Sequence, residues 1–158
     1  TGLPETKGDD LRGVAAKVRE ISQPGAIVFH TYVDVFPEMF YWNKENRYVG
    51  GMDSIFQFAY NKDLFWKAYH LHQGAAPYTW GTSTTNPSPE EVEDTYQVLR
   101  DDFNASYAVI QTAIRPQLHL FTYMAQDPRF TLVTQDSWAA LFALETEGTS
   151  SEKPPEQP

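Results

Sequence analysis

The sequence predicts an α/β fold: one three-layer domain with a mostly parallel sheet of about five strands and helices on both faces. Segments with helical apolar spacing alternate with short runs rich in β-branched and aromatic residues, the pattern of strand-helix-strand units. The last two such runs, 130–135 and 137–144, are joined by a tight turn at Asp136-Ser137, which predicts a C-terminal antiparallel hairpin. A chain of 158 residues with 41% hydrophobic residues is long enough to bury one core.

The two ends of the chain differ in composition from its middle. Residues 1–9 are polar and interrupted by Gly and Pro, and residues 146–158 are a mixture of Pro, Ser, Thr and Glu. Such segments bury too little apolar surface to offset the entropy of ordering. We therefore expect a linker at 1–9, a single α/β domain at 10–145 and a disordered tail at 146–158.

The first helix and the first strand follow from local spacing. Residues 10–21 predict a helix with Asp9 or Asp10 as N-cap, because its apolar residues recur at helical intervals: Leu11, Val14, Ala15, Val18 and Ile21. Residues 26–32, AIVFHTY, follow Pro24-Gly25 and are almost continuously apolar. This run predicts a strand buried on both faces in the interior of the sheet.

A second helix and a second strand follow. The helix is expected to begin near Val35 with Asp34 as its cap, since Pro37 is tolerated only in the first turn. Residues 47–51, RYVGG, predict a short strand. Asp53 or Ser54 then caps a helical region that extends to about residue 73.

The second half of the chain begins with a predicted loop at 74–87. Residues 88–91, SPEE, form a capping box and predict a helix, whose apolar face comprises Val92, Tyr96, Leu99 and Phe103. A strand at 105–111 and a helix at 116–125 precede the C-terminal hairpin.

Polar residues follow the first two predicted strands. Ligands of open parallel sheets bind beyond the carboxyl ends of strands, where His30, Thr31, Asp34, Gly51 and Asp53 are expected to gather if the two strands are parallel neighbours. Paired carboxylates serve as acid and base in glycoside chemistry. N-capping of the following helices is the commoner role for Asp34 and Asp53, and a histidine in an apolar strand is more often simply buried.

Other catalytic and cofactor signatures are missing from the sequence. The chain has no cysteine, so thiolate metal sites and disulfides are excluded. His70 and His72 are two residues apart and face different sides of a helix, while His119 belongs to another helix, so no metal site is expected. No glycine-rich phosphate loop and no GxSxG motif occurs, and no cofactor is expected.

Charge and hydropathy limit the partners. The formal net charge is −9 and no basic stripe exists, so nucleic acid and anionic lipid surfaces are not expected partners. No apolar run approaches the length needed to cross a bilayer, and we expect the chain as given to be soluble.

Aromatic residues are more numerous than one small core needs: 10 Phe, 9 Tyr and 4 Trp. Core packing explains most of them, but some are expected to be exposed, where flat rings suit sugar faces, a partner surface or a bilayer interface. Tyr78 and Trp80, in the predicted loop, are the ones least expected to be buried.

Several motifs carry a family resemblance that covers about residues 10–144. They are DVFPEMFYWN at 34–43, NRYVGGMD at 46–53, YNKDLF at 60–65, DDFNASYAVI at 101–110 and DPRFTLVTQD at 127–136. The chain resembles the C-terminal soluble domain of bacterial multi-span membrane proteins of the glycosyltransferase type, which includes the dolichyl-phosphate-mannose protein mannosyltransferases. Two departures stand out: Val33 replaces an Asp, and Met52-Asp53-Ser54 replaces Leu-Asp-Pro. The first removes one carboxylate from any acidic site.

The resemblance implies a location and a partner. In that family the sugar is transferred from a lipid phosphate carrier by loops of the membrane part, which is not in this chain, so no catalytic residue carries over. The resemblance implies a domain at the extracytoplasmic face of the bacterial inner membrane, with the transmembrane region of the same parent chain as a partner. The motif residues that carry over are Asp34, Phe36, Pro37, Asn43, Tyr48, Gly51, Asp53 and Tyr60.

The leading hypothesis is a non-catalytic accessory domain that binds or positions a glycan, a lipid-linked sugar or a protein partner. Its candidate ligand-binding residues are His30, Thr31, Asp34, Trp42, Asn43, Tyr48, Gly51, Asp53 and Tyr60. Two alternatives remain. One is a small α/β carbohydrate-active enzyme that uses Asp34 and Asp53, and the other is a purely structural interaction module, which a flat apolar patch without a pocket would favour.

Overall fold

A computed structural model describes residues 11–31, 35–49 and 58–146 of the chain. The helices are α1 (Arg12–Ile21), α2 (Val35–Trp42), α3 (Lys62–His72), α4 (Thr95–Gln97, continued by one π-helical turn, Val98–Asp102) and α5 (Arg115–Gln126). The strands are β1 (Ile27–His30), β2 (Arg47–Tyr48), β3 (Tyr78–Trp80), β4 (Val92–Asp94), β5 (Tyr107–Gln111), β6 (Phe130–Gln135) and β7 (Ala139–Leu144).

The main sheet has five strands in the order β2-β1-β5-β7-β6. Strands β2, β1 and β5 are parallel, and β7 is antiparallel to both β5 and β6. The sheet is therefore mixed, with three parallel strands followed by the C-terminal hairpin. The α/β class, the five strands, the interior position of β1 and the hairpin at one edge were all predicted by the sequence and are confirmed.

Helices cover both faces of this sheet because strand residues alternate between two cores. Val28, Val109 and Leu141 pack with α1 and α2 on one face. On the other face, Phe29 and Phe142 pack with α3, α4 and α5. This arrangement confirms the three predicted layers, and each fully buried large side chain contributes about 2 kcal/mol to folding.

The start of α1 differs from the prediction. Its N-cap position is Leu11, which makes no side-chain cap, and Asp9 and Asp10 lie outside the described residues. The Leu11 amide instead donates to Glu38 Oε1 at 2.7 Å. A carboxylate from α2 thus satisfies one amide at the positive end of α1 and ties the two helices together.

The prediction of a helix beginning at residue 88 is wrong for its first residues, 88–94. Ser88 N donates to Glu91 Oε2 at 2.8 Å, as a capping box should, but the chain makes only one turn there. Strand β4 follows and pairs antiparallel with β3. Strand β3 lies inside residues 74–87, the segment that was predicted to be a loop. The helix begins at Thr95, where Asp94 is the N-cap and accepts from Gln97 N at 3.1 Å. Pairing with β3 has displaced the first helical turns.

The helical region predicted from residue 53 to 73 is divided. Residues 58–60 are helical, and Asn61 then acts as the N-cap of α3, its side chain accepting from Leu64 N at 3.1 Å. The predicted caps Asp53 and Ser54 lie outside the described residues.

The end of α3 lies directly on the start of α5. Gly74, with φ of +85°, leaves so little space that a Cβ there would lie 1.9 Å from the Pro116 carbonyl oxygen. His119 Nδ1 donates to the Gly74 carbonyl at 3.0 Å and fixes the same contact. Only glycine fits this backbone-on-backbone approach.

We expect Gly74→Ala to lower the free energy of unfolding by more than about 4 kcal/mol, because a positive φ and a backbone clash add together. Gly25→Ala is the matched control, since Gly25 has φ of +81° but open space around its Cβ position. It should cost about 1–2 kcal/mol. Urea unfolding of both variants measures the difference, and equal losses would contradict the proposed clash.

Candidate functional site

The first two strands meet as the sequence predicted. Strand β1 is parallel to β2, with Ile27 opposite Arg47 and Val28 opposite Tyr48. Their carboxyl ends therefore share one edge of the sheet. Of the residues predicted to gather there, Asp34, Gly51 and Asp53 lie outside the described residues.

His30 and Thr31 are buried at this edge. The Thr31 hydroxyl donates to Gln117 Oε1, which also accepts from Gln111 N at 2.9 Å, and the Thr31 carbonyl contacts His72 Nδ1. The His30 ring stacks beside Phe36, with 6.4 Å between centroids. These contacts tie β1 to β5, α3 and α5.

Trp42 ends α2, Asn43 follows it, and Tyr48 ends β2. Asn43 Nδ2 donates to Asn46 Oδ1 at 2.7 Å, and Tyr48 OH donates to the Asn43 carbonyl at 2.8 Å. Burial raises the pKa of Tyr48 to about 12. The Arg12 guanidinium lies 4.8 Å from the centre of the Trp42 ring. Each of these side chains thus has a structural partner.

Tyr60 stands apart from the residues above. It is 91% exposed and lies in the short helical stretch before α3. None of the six described candidates, His30, Thr31, Trp42, Asn43, Tyr48 and Tyr60, lines the cleft that the structure forms next to α3.

Strands β3 and β4 form a separate two-stranded sheet, the β3–β4 ribbon. The cleft has a volume of about 390 Å³ and lies between the end of α3, this ribbon and the first turns of α5. Its walls include two exposed or half-exposed aromatic rings, two imidazoles and small apolar residues. The side chains that line the cleft include His70, Gln73, Tyr78, Trp80, Val92 and His119.

Strand alternation presents Tyr78 and Trp80 on the same face of the ribbon, about 7 Å apart along the strand. Thr79 points the other way and is buried, with its hydroxyl 2.9 Å from that of Thr95. Tyr78 is 54% exposed. The sequence indicated that these two aromatic residues were the least expected to be buried, but the strand that aligns them was missed.

Trp80 is held in place from two sides. Its ring stacks on His70 with 4.0 Å between centroids, and its indole Nε1 donates to the Thr84 carbonyl at 2.8 Å. His70 Nε2 lies 2.7 Å from the Thr82 carbonyl and must donate, because a carbonyl only accepts. The indole is thus positioned before any ligand arrives.

Lys67 fastens the ribbon to α3. Its ammonium is buried and contacts three carboxylates: Asp63 at 2.9 Å, Glu93 at 2.6 Å and Asp102 at 2.7 Å. Burial alone would lower the pKa of Lys67, but the hydrogen bonds to Asp102, Glu93 and Asp63 outweigh it and raise that pKa. One side chain therefore joins α3, β4 and the end of α4.

Arg129 anchors the ribbon at the next residue of β4, Asp94. It contacts both carboxylate oxygens of Asp94, at 2.9 and 3.0 Å, and Asp127 Oδ2 at 2.7 Å. Its guanidinium also lies 4.6 Å from the centre of the Tyr96 ring. The hydrogen bond from Arg129 lowers the pKa of Asp127 to about 2, so this ion pair persists through mildly acidic conditions.

The described residues contain neither a metal-binding group of side chains nor a helix that could span a membrane. Across residues 11–31, 35–49 and 58–146, no set of three or more His, Asp or Glu side chains is grouped so that it could hold a metal ion. Over the same residues no helix combines the length and hydropathy that a membrane span requires.

No family model matches the chain, and neither a curated protein nor a solved structure does. Membership of the glycosyltransferase-type family therefore stays a proposal.

We expect Lys67→Met to lower the free energy of unfolding by roughly 2–3 kcal/mol, because it leaves three carboxylates facing one another. Their mutual repulsion raises the carboxylate pKa values in the folded state, so the deficit should shrink as the pH falls from about 7 to about 4. Lys17→Met, which removes the surface pair of Lys17 with Glu20, is the control and should cost under about 1 kcal/mol. A deficit that is independent of pH would contradict the repulsion.

Proposed function

We propose that this domain binds carbohydrate in the cleft, as a non-catalytic accessory domain of a membrane glycosyltransferase-like protein. The observation that carries the proposal is the placement of Tyr78 and Trp80 on one face of the β3–β4 ribbon, at the wall of a ready-made cleft. The cleft is open to solvent, and its wall of aromatic, imidazole and amide side chains favours ligand binding over a purely structural role.

The walls suit the two surfaces of a sugar ring. Aromatic rings are apolar on their faces, and the C–H side of a pyranose packs against such faces. Hydroxyl groups at the edge of the sugar need polar partners, and Gln73, Tyr78 and His119 supply them along the wall. The volume lies within the usual range for small-ligand sites.

The cleft itself is not equipped for glycoside cleavage. That chemistry uses two carboxyl groups on either side of the scissile bond. Among the described residues that line the cleft, none is Asp or Glu. Binding without turnover is therefore the activity that the cleft supports.

The cellular setting rests on the family resemblance. It supports a position at the extracytoplasmic face of the bacterial inner membrane, beside the transmembrane region of the same parent chain. In that position the domain would hold a glycan, or the sugar of a lipid-linked donor, near the membrane.

We expect a neutral hexoside to bind with a dissociation constant on the order of millimolar, since small ligands of this size gain about 0.3 kcal/mol per non-hydrogen atom. Tyr78→Ala should weaken binding at least fivefold, and Trp80→Phe, which keeps a ring to stack on His70, should weaken it less. Tyr41→Ala removes a comparably exposed ring on the opposite face of the sheet and is the control. Saturation-transfer NMR measures all four proteins, and equal binding by all would refute the cleft as the site.

A small carbohydrate-active enzyme is the second candidate. The parallel pairing of β1 and β2 supports it, because Asp34 and Asp53 follow strands whose carboxyl ends share an edge. This candidate predicts release of nitrophenol from aryl glycosides, lost by at least a hundredfold in Asp34→Asn and in Asp53→Asn. Hydrolysis that survives both substitutions, or no hydrolysis across a panel of aryl glycosides, would eliminate it.

A further inference from the structure

We propose that the cleft selects an uncharged pyranose unit and rejects the phosphorylated or uronic acid forms of the same sugar. The inference rests on the carbohydrate-binding function proposed above and adds the ligand class. Two separate observations carry it: the chemistry of the cleft wall and the charge immediately behind that wall.

The wall has no charged partner for an anionic ligand. Its described residues are His, Gln, Gly, Ala, Pro, Tyr, Trp and Val, with no Lys or Arg among them. Phosphate and carboxylate groups lose hydration when they enter a site, and an Arg or Lys partner normally replaces it. Here that replacement is missing from the described lining.

Both imidazoles of the wall are oriented by backbone carbonyls. His70 Nε2 donates to Thr82 and His119 Nδ1 donates to Gly74. The second nitrogen of a neutral imidazole is then an acceptor. His119 is exposed, so the free Nε2 of its neutral imidazole suits a donating hydroxyl group.

The charge behind the wall is negative. The ammonium of Lys67 and its three carboxylates carry a formal charge of −2 together. This cluster is continuous with the wall, because Glu93 follows Val92, and Lys67 lies one helical turn before His70. Asp63 also packs against Gly81, where a Cβ would lie 1.8 Å from Asp63 Oδ1, next to Trp80.

An anion in the cleft is therefore repelled by these carboxylates, and no Lys or Arg of the described lining offsets that repulsion. Like-charge repulsion is an effective means of rejecting a ligand that otherwise fits, and here it comes from carboxylates that directly follow the wall residue Val92 or lie on the same helix as His70. For a lipid-linked sugar, the consequence is that only the sugar enters the cleft and the phosphate stays outside it.

The test compares methyl glucoside, glucose 6-phosphate and methyl glucuronide, together with the corresponding mannose and galactose compounds, by NMR titration at low ionic strength. We expect each neutral compound that binds to bind at least tenfold more tightly than its phosphate or uronate, with Tyr78→Ala weakening the neutral ligand. If charged forms bind equally well or better, and Tyr78→Ala weakens them, the selectivity is refuted while the carbohydrate site stands. If no compound binds, both proposals fail.

A charge added to the wall provides the second test. Gln73→Lys places an ammonium at the cleft, whereas Gln126→Lys makes the same change at the far end of α5. We expect the first variant, and not the second, to improve the binding of the sugar phosphate relative to the neutral sugar by about tenfold. Equal behaviour of the two variants would show that the local charge does not set the selectivity.

Discussion

The buried ammonium group of Lys67 holds together the elements that surround the cleft. Lys67 is buried, and a buried cation is tolerated only where counter-charges surround it. Its three carboxylates come from α3, β4 and the last turn of α4, so these elements cannot separate without exposing an unpaired charge. Since its pKa is raised, Lys67 stays charged through the neutral and mildly alkaline range, and the ribbon stays fastened there. The cleft wall is thereby set before a ligand binds.

A second constraint explains why the cleft lies away from the centre of the sheet. In open α/β folds the usual ligand position is the crevice where strand order reverses, here between β1 and β5. In the described part of that crevice, Gln117 accepts hydrogen bonds from Thr31 and from the Gln111 amide and has no exposed surface. The side chain closes the gap between the two strands. The cleft lies instead outside the main sheet, where the β3–β4 ribbon lies beside α3 and α5.

Local patterns predicted the sheet well because its strands are locally encoded. Strands β1 and β5 are nearly continuous apolar runs, and the C-terminal hairpin is closed by Asp136, whose carboxylate accepts from the amides of Trp138 and Ala139. The β3–β4 ribbon was not predicted from the sequence because it is formed by interactions between residues that are distant along the chain. The capping box at Ser88 is satisfied within a single turn, and the pairing of β4 with β3 spans a long connection. Lys67 and Asp102 lie 35 residues apart, so no local spacing reveals their contact, nor the cleft that depends on it.

The contact of Gly74 with Pro116 limits how this cleft can change over evolutionary time. Gly74 lines the cleft, and its main chain is pressed against that of Pro116, a contact that a substitution can disrupt but cannot reshape by degrees. Variation in ligand preference is then expected at the rim, where Tyr78 and Gln73 are exposed. Under the proposed carbohydrate-binding function, homologous domains that keep the Gly74 contact would be expected to differ in which sugar they hold.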